Sequence, residues 1–115
     1  MADSKCLAKL KKSIKGWNAW RTANPEIVPD FSGADLGGAD LSKVDFRKAA
    51  LRRMDPIMAY LRGDLIGGHF IRAADLSRAN LRKANLSEAD LRGAYLNEAC
   101  LEEVNLSKAY LARLI

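Results

Sequence analysis

Histidine, cysteine and proline are scarce in this chain of 115 residues, with one, two and three copies. The lone histidine, His69, and the cysteines, Cys6 and Cys100, are scattered, so no His/Cys cluster has the spacing of a zinc site. Nothing in their placement pairs the two thiols, and two free thiols fit a reducing cytoplasm. No apolar run approaches the length of a membrane span. Lys9, Lys11, Lys12 and Lys15 break the N-terminal stretch, so it lacks the apolar core of a signal peptide. No phosphate-binding glycine loop or dinucleotide fingerprint is present. Aromatic residues are 7% of the chain, and in the basic N-terminal helix they are limited to Trp17 and Trp20. The expectation is a cytoplasmic protein with no cofactor, no metal and no membrane partner, for which nucleic acid is a poor candidate ligand.

Strong charge is also missing over most of the length. The formal net charge is +5. Residues 1–29 hold most of it, with Lys5, Lys9, Lys11, Lys12, Lys15 and Arg21 set against Asp3 and Glu26. The rest of the chain is nearly neutral. The basic excess reads first as a solvated helix face and second as a weak attraction for polyanions.

What the chain has instead is a period of five. Large apolar residues recur at Phe31, Leu36, Leu41, Phe46, Leu51, Leu61, Ile66, Ile71, Leu76, Leu81, Leu86, Leu91, Leu96, Leu101, Leu106 and Leu111, with Pro56 as the exception. Two residues before most of them sits a small apolar residue. Apolar–polar–apolar is the signature of an extended segment. A continuous strand would flip faces after an odd repeat, so the chain must turn a corner every five residues. Gly33, Gly38 and Gly93 fall at the last position of the unit, where a turn gains from relaxed sterics. Stacked coils about 4.8 Å apart would bury the leucines and alanines.

Residues 4–22 read as one amphipathic helix. Leu7, Leu10, Ile14 and Trp17 share a face, Ser4 is the expected N-cap, and Asn24-Pro25 ends it. Pro25 and Pro29 frame a short linker. The division is thus residues 1–29, a helix and linker, and residues 30–115, the repeats.

The units Ala34-Asp35-Leu36-Gly37-Gly38, Ala74-Asp75-Leu76-Ser77-Arg78, Ala84-Asn85-Leu86-Ser87-Glu88 and Ala89-Asp90-Leu91-Arg92-Gly93 resemble the pentapeptide repeats, A-(D/N)-L-x-x. The likeness covers residues 30–114 and implies an all-β fold, a right-handed, four-sided β-helix (a solenoid) of about four coils. Trp17-Asn18-Ala19-Trp20-Arg21 with Asn24-Pro25 is similar to a segment that often precedes such repeats. It is expected to be a capping α-helix, with Leu10, Ile14, Trp17 and Trp20 covering the first coil. Four repeats per coil would stack residues twenty apart, giving columns such as Leu36-Pro56-Leu76-Leu96 and Phe31-Leu51-Ile71-Leu91-Leu111.

Residues 52–73 disturb this order. Strict phase points Asp64 and His69 inward, where an unpaired charge costs several kcal/mol. A local bulge with a one-residue shift, which turns Leu65 and Phe70 inward, removes the conflict. A short loop over Met54–Met58, around Pro56, is the alternative, and an Asp64–His69 pair orienting a general base is a remote one. With Tyr60, the apolar residues left outside make either a contact surface or a loop folded on itself.

Outward positions stack as well. Arg52, Arg72 and Arg92, with Arg53 beside them, form a basic column next to Asp35, Asp55 and Asp75. This is a candidate surface for an acidic partner or a pair of mutually solvated ladders. The C-terminal coil, ending in Leu111 and Leu114, looks uncapped, which predicts a homodimer through it. A rigid stack with few clefts suits docking, so the expected function is a non-enzymatic scaffold binding a protein that the sequence does not specify. The resemblance also implies an alternative, a DNA mimic that binds DNA gyrase or topoisomerase, from which the nearly neutral repeats depart.

Overall fold

The computed structural model describes residues 3–52 and 73–112. Pairing between repeats is by single-residue parallel bridges, because a corner every five residues leaves one residue per side free to pair. The bridges form four columns: Asp30–Ala50–Asp90–Tyr110, Asp35–Asp75–Tyr95, Asp40–Asn80–Cys100 and Asp45–Asn85–Asn105. Each run of four repeats makes one tier, and the described residues build three tiers and the start of a fourth. The all-β expectation is corrected to this extent: among the described residues the named elements are two helices, and the sheet consists of isolated bridges.

Each corner has the same chemistry. The N–H of the small residue donates to the carbonyl of the preceding central residue, as from Ala79 to Leu76 (3.0 Å) and from Ala84 to Leu81 (2.9 Å). The residue before that small one takes positive φ, as the third position of a type II turn demands. Gly33, Gly38 and Gly93 do so without a Cβ, but Lys43, Lys48, Arg78, Lys83, Glu88, Glu98, Glu103 and Lys108 do so at φ of 58–64°. Where the bridging residue is Asp or Asn it locks the turn, its carboxylate or amide oxygen accepting the N–H two residues on, as at Ser77 (2.9 Å), Ser87 (3.0 Å) and Ser107 (3.0 Å); Ala50, Tyr95, Cys100 and Tyr110 hold this position without that bond. This explains why residues unsuited to an ordinary sheet fill the bridging position.

Inside, Phe31, Leu36, Leu41, Phe46, Leu51, Leu76, Leu81, Leu86 and Leu91 are buried, interleaved with Ala34, Val44, Ala49 and their counterparts. The expected core is corrected at its far end. Leu96 and Leu106 are only partly buried, while Leu101 and Leu111 stay 39% and 40% exposed, because no described tier lies above theirs. Leu61, with Pro56, Ile66, Ile71 and Leu114, lies outside the described residues.

The stacking interval of twenty holds for Asp30–Ala50, Asp75–Tyr95, Asn80–Cys100, Asn85–Asn105 and Asp90–Tyr110 and is corrected for the other four bridges. Asp35 pairs with Asp75, Asp40 with Asn80, Asp45 with Asn85 and Ala50 with Asp90, all forty residues apart rather than twenty. Leu36 therefore neighbours Leu76 directly, and the described residues make about three of the expected four coils. The bulge, loop and Asp64–His69 readings of residues 52–73 fall almost wholly outside the described residues.

The single helix expected at the N-terminus is two: α1 (Ser4–Lys12) and α2 (Ile14–Ala23). Asp3, not Ser4, caps α1, its carboxylate accepting the N–H groups of Lys5 and Cys6. Ser13 breaks the run because its hydroxyl satisfies the Gly16 N–H at the start of α2 (2.9 Å). Among the described residues no helix is long and apolar enough to cross a membrane.

Candidate interaction surface

The first tier would end in bare peptide groups, and α2 covers one side of it. Asp45, in the first tier, points its N–H and C=O away from the second. The Asn18 amide oxygen accepts that N–H (2.8 Å), and the Trp17 indole N–H donates to that carbonyl (2.8 Å). The Asn18 amide nitrogen also donates to the Lys43 carbonyl (3.0 Å). Two side chains thus take the place of a missing rung. Trp17 is fully buried, edge-on to Phe31 at 5.3 Å, and Leu10 is buried beside it, while Ile14 and Trp20 are partly buried.

Arg21 completes the cap. Its guanidinium donates to the carbonyls of Asn24, Ile27 and Arg47 at 2.8–2.9 Å and is 1% exposed. Burial lowers its pKa, opposed by the nearby Asp45 carboxylate. Counting Arg21 with the solvated basic excess missed this role. The signal was its spacing: Arg21 follows Trp17, and Asn18 follows Ile14, by one helical turn, so all four share the buried side. The Cys6 thiol is pushed up by burial first and then by Asp3, so it is held as an inert thiol.

The basic column proves to be internally paired. Arg52 and Arg92 occupy successive tiers, and both bind Asp90, Arg52 at 3.0 Å and Arg92 at 2.6 and 2.8 Å. Arg92 also lies over the Tyr110 ring, 5.6 Å from its centre. Burial pushes the Asp90 carboxyl up, but its bonds from Arg92 outweigh this and hold it below the usual carboxylate range. Asp45 behaves likewise, with Arg47 as its partner. Arg78–Glu98 and Arg82–Glu102 are exposed pairs at 3.9 and 3.5 Å, of the kind that contributes little to stability. Arg53, Arg72, Tyr60, Leu65 and Phe70, the rest of the expected surface, lie outside the described residues, as does Asp55.

The adjacent column, around the next corner, is barer. Gly33, Asp35, Asp75, Ser77, Tyr95 and Asn97 line a shallow groove of about 420 Å³. Asp75 is held below its ordinary value by the Ser77 hydroxyl and N–H, so the groove carries an ionised carboxylate. Ser77 donates its own proton to that carboxylate (2.6 Å), an arrangement that orients an acceptor rather than activating a nucleophile. Among the described residues no group of three or more His, Cys, Asp or Glu side chains could hold a metal ion.

Comparison with known proteins places this architecture. The family model of the pentapeptide repeats matches eight copies over residues 30–55 and 64–111. No curated protein matches. Three solved structures are similar in sequence over about three quarters of the chain. HetL, a pentapeptide repeat protein involved in heterocyst differentiation regulation in the cyanobacterium Nostoc sp. strain PCC 7120, is 32% identical with a TM-score of 0.43, and 33% of its length is covered. A pentapeptide repeat protein of the Arabidopsis thaliana thylakoid lumen is 33% identical (TM-score 0.33, 52% covered). Rfr23, from the cyanobacterium Cyanothece 51142, is 30% identical (TM-score 0.28, 52% covered). The chain thus spans between a third and about half of these proteins. With the five-residue period, the bridged tiers and a family match over more than half its length, the chain belongs to the pentapeptide repeat family.

Proposed function

We propose that the protein is a non-enzymatic scaffold that binds another protein through the sides of a right-handed, four-sided β-helix. The observation that carries this reading is the ladder itself. Its outward side chains stand on a backbone fixed by bridges, Asx bonds and turns in every tier, which lowers the ordering cost of docking. The groove along Asp35, Asp75 and Tyr95 is shallow and its Ser77 hydroxyl is taken up in the turn with Asp75, so it suits a contact surface better than a reaction centre. DNA mimicry is disfavoured, because Arg52, Arg92, Arg47 and Arg82 neutralise the acidic groups beside them. The exposed Leu101, Tyr110 and Leu111 at the far end of the described stack support self-association through that face as a second contact.

The test is affinity capture with the immobilised protein, followed by direct binding of the purified partner. Tyr95→Ala and Asp75→Asn alter the groove, and Arg92→Glu alters the paired column. A partner bound at micromolar strength or better by the wild type and weakened tenfold by one of these changes supports the reading. A partner unaffected by all three refutes docking through these sides. Light scattering with wild type and Leu101→Arg tests self-association, and a wild type that stays monomeric at 100 micromolar removes it.

A further inference from the structure

The ladder is complete without a run of twenty residues in its middle. Ala49-Ala50-Leu51-Arg52 followed at once by Ala73, which is buried in the core, and then by Ala74-Asp75-Leu76-Ser77-Arg78 reads as two consecutive units in phase. The hydrogen bonds join them in the same way. The Ala74 N–H donates to the Leu51 carbonyl at 2.9 Å, the corner bond that Ala79 makes to Leu76 at 3.0 Å and Ala84 to Leu81 at 2.9 Å. Asp30 pairs with Ala50, Asp35 with Asp75, Asp40 with Asn80 and Asp45 with Asn85, so all four sides of the second tier sit on the first without an offset. Above and below, the interval returns to twenty, as in Asp30–Ala50 and Asp75–Tyr95. The change of interval enters once, between Leu51 and Ala74.

We propose that residues 53–72 are dispensable to the ladder, and that the Leu51–Ala74 corner is an insertion point at which the scaffold carries extra chain without altering its register. Two atoms 2.9 Å apart mark where the chain leaves and rejoins, so the insert needs only termini that meet. A flexible insert of another sequence satisfies that condition, since closing a loop depends weakly on its length. The inference concerns the stack alone and stands whether or not the sides bind a partner.

Three variants test it by circular dichroism and thermal melting. One deletes residues 53–72, one replaces them with twenty Gly/Ser residues, and one deletes residues 53–73. The first two should melt cooperatively within about 5 °C of the full chain. The third brings Asp75 to the inward position of the corner and slips every following leucine by one place, so it should lose the cooperative transition. The proposal is overturned if the in-register deletion behaves like the out-of-register one, or if the Gly/Ser replacement does not fold.

Discussion

Replacing Asn18 by alanine isolates the cap's substitution for a rung. The change removes two hydrogen bonds, to the Asp45 N–H and the Lys43 carbonyl, at 2.8 and 3.0 Å. A hydrogen bond contributes roughly 0.5–1.5 kcal/mol net, and the loss rises when the partner left behind is shielded from water. The Asp45 N–H is part-buried and the Lys43 contact exposed, so the expected loss is about 1–3 kcal/mol, most of it from Asp45. For a domain of this size that lowers Tm by roughly 5–15 °C. Trp17→Phe keeps the aromatic contact with Phe31 but drops the indole N–H, costing about 1 kcal/mol. Both side chains serve the same peptide unit, so the double mutant should depart from additivity by about 0.5 kcal/mol or more. Urea melts of the four proteins read this directly. An Asn18→Ala variant within 0.3 kcal/mol of wild type, with the two changes strictly additive, refutes the substituted rung.

Position in the stack should grade the cost of a core truncation. Leu86→Ala, in the buried second tier, should lose about 2–5 kcal/mol, and Leu106→Ala, one tier further in the same column, less than half of that; equal losses in denaturant melts would contradict the exposed last tier. Glu88 has φ of 59° and makes no described ion pair, so Glu88→Gly should relieve more left-handed strain than it adds chain entropy, a gain of about 0.5–1 kcal/mol in the same assay. Acid should destabilise the fold. Asp45, Asp75 and Asp90 have folded pKa values below their unfolded ones, so their contribution is present above about pH 4 and fades as pH falls towards the folded values. Thermal melts should be flat from pH 7 to 5 and fall below pH 4, and the fall should shrink in Asp75→Asn.

The family, the five-residue corner and the buried central residues Phe31 to Leu51 and Leu76 to Leu91 were legible because periodicity reports which side chain faces inward at each turn. The break at Ser13 was not, because α1 and α2 keep the same apolar side and the three-four-three spacing runs through both. Partner choice in the ladder was not legible either. A strict period is compatible with any tier resting on any other, so Leu36 could neighbour Pro56 or Leu76 without a change in pattern. The Arg52–Arg92 column was legible as a column, but its neutralisation by Asp90 needed three-dimensional geometry. Arg21 was misassigned because a basic residue on a lysine-rich helix reads as solvated until three carbonyls are seen to converge on it.

The forty-residue rung is the claim on which the rest depends, and a through-hydrogen-bond NMR coupling in isotopically labelled protein tests it most directly. The Leu36 amide nitrogen donates to the Asp75 carbonyl at 2.9 Å, so a coupling between that nitrogen and the Asp75 carbonyl carbon is predicted. A coupling from Leu36 to the Asp55 carbonyl carbon instead would show a tier of twenty residues between them and contradict the account.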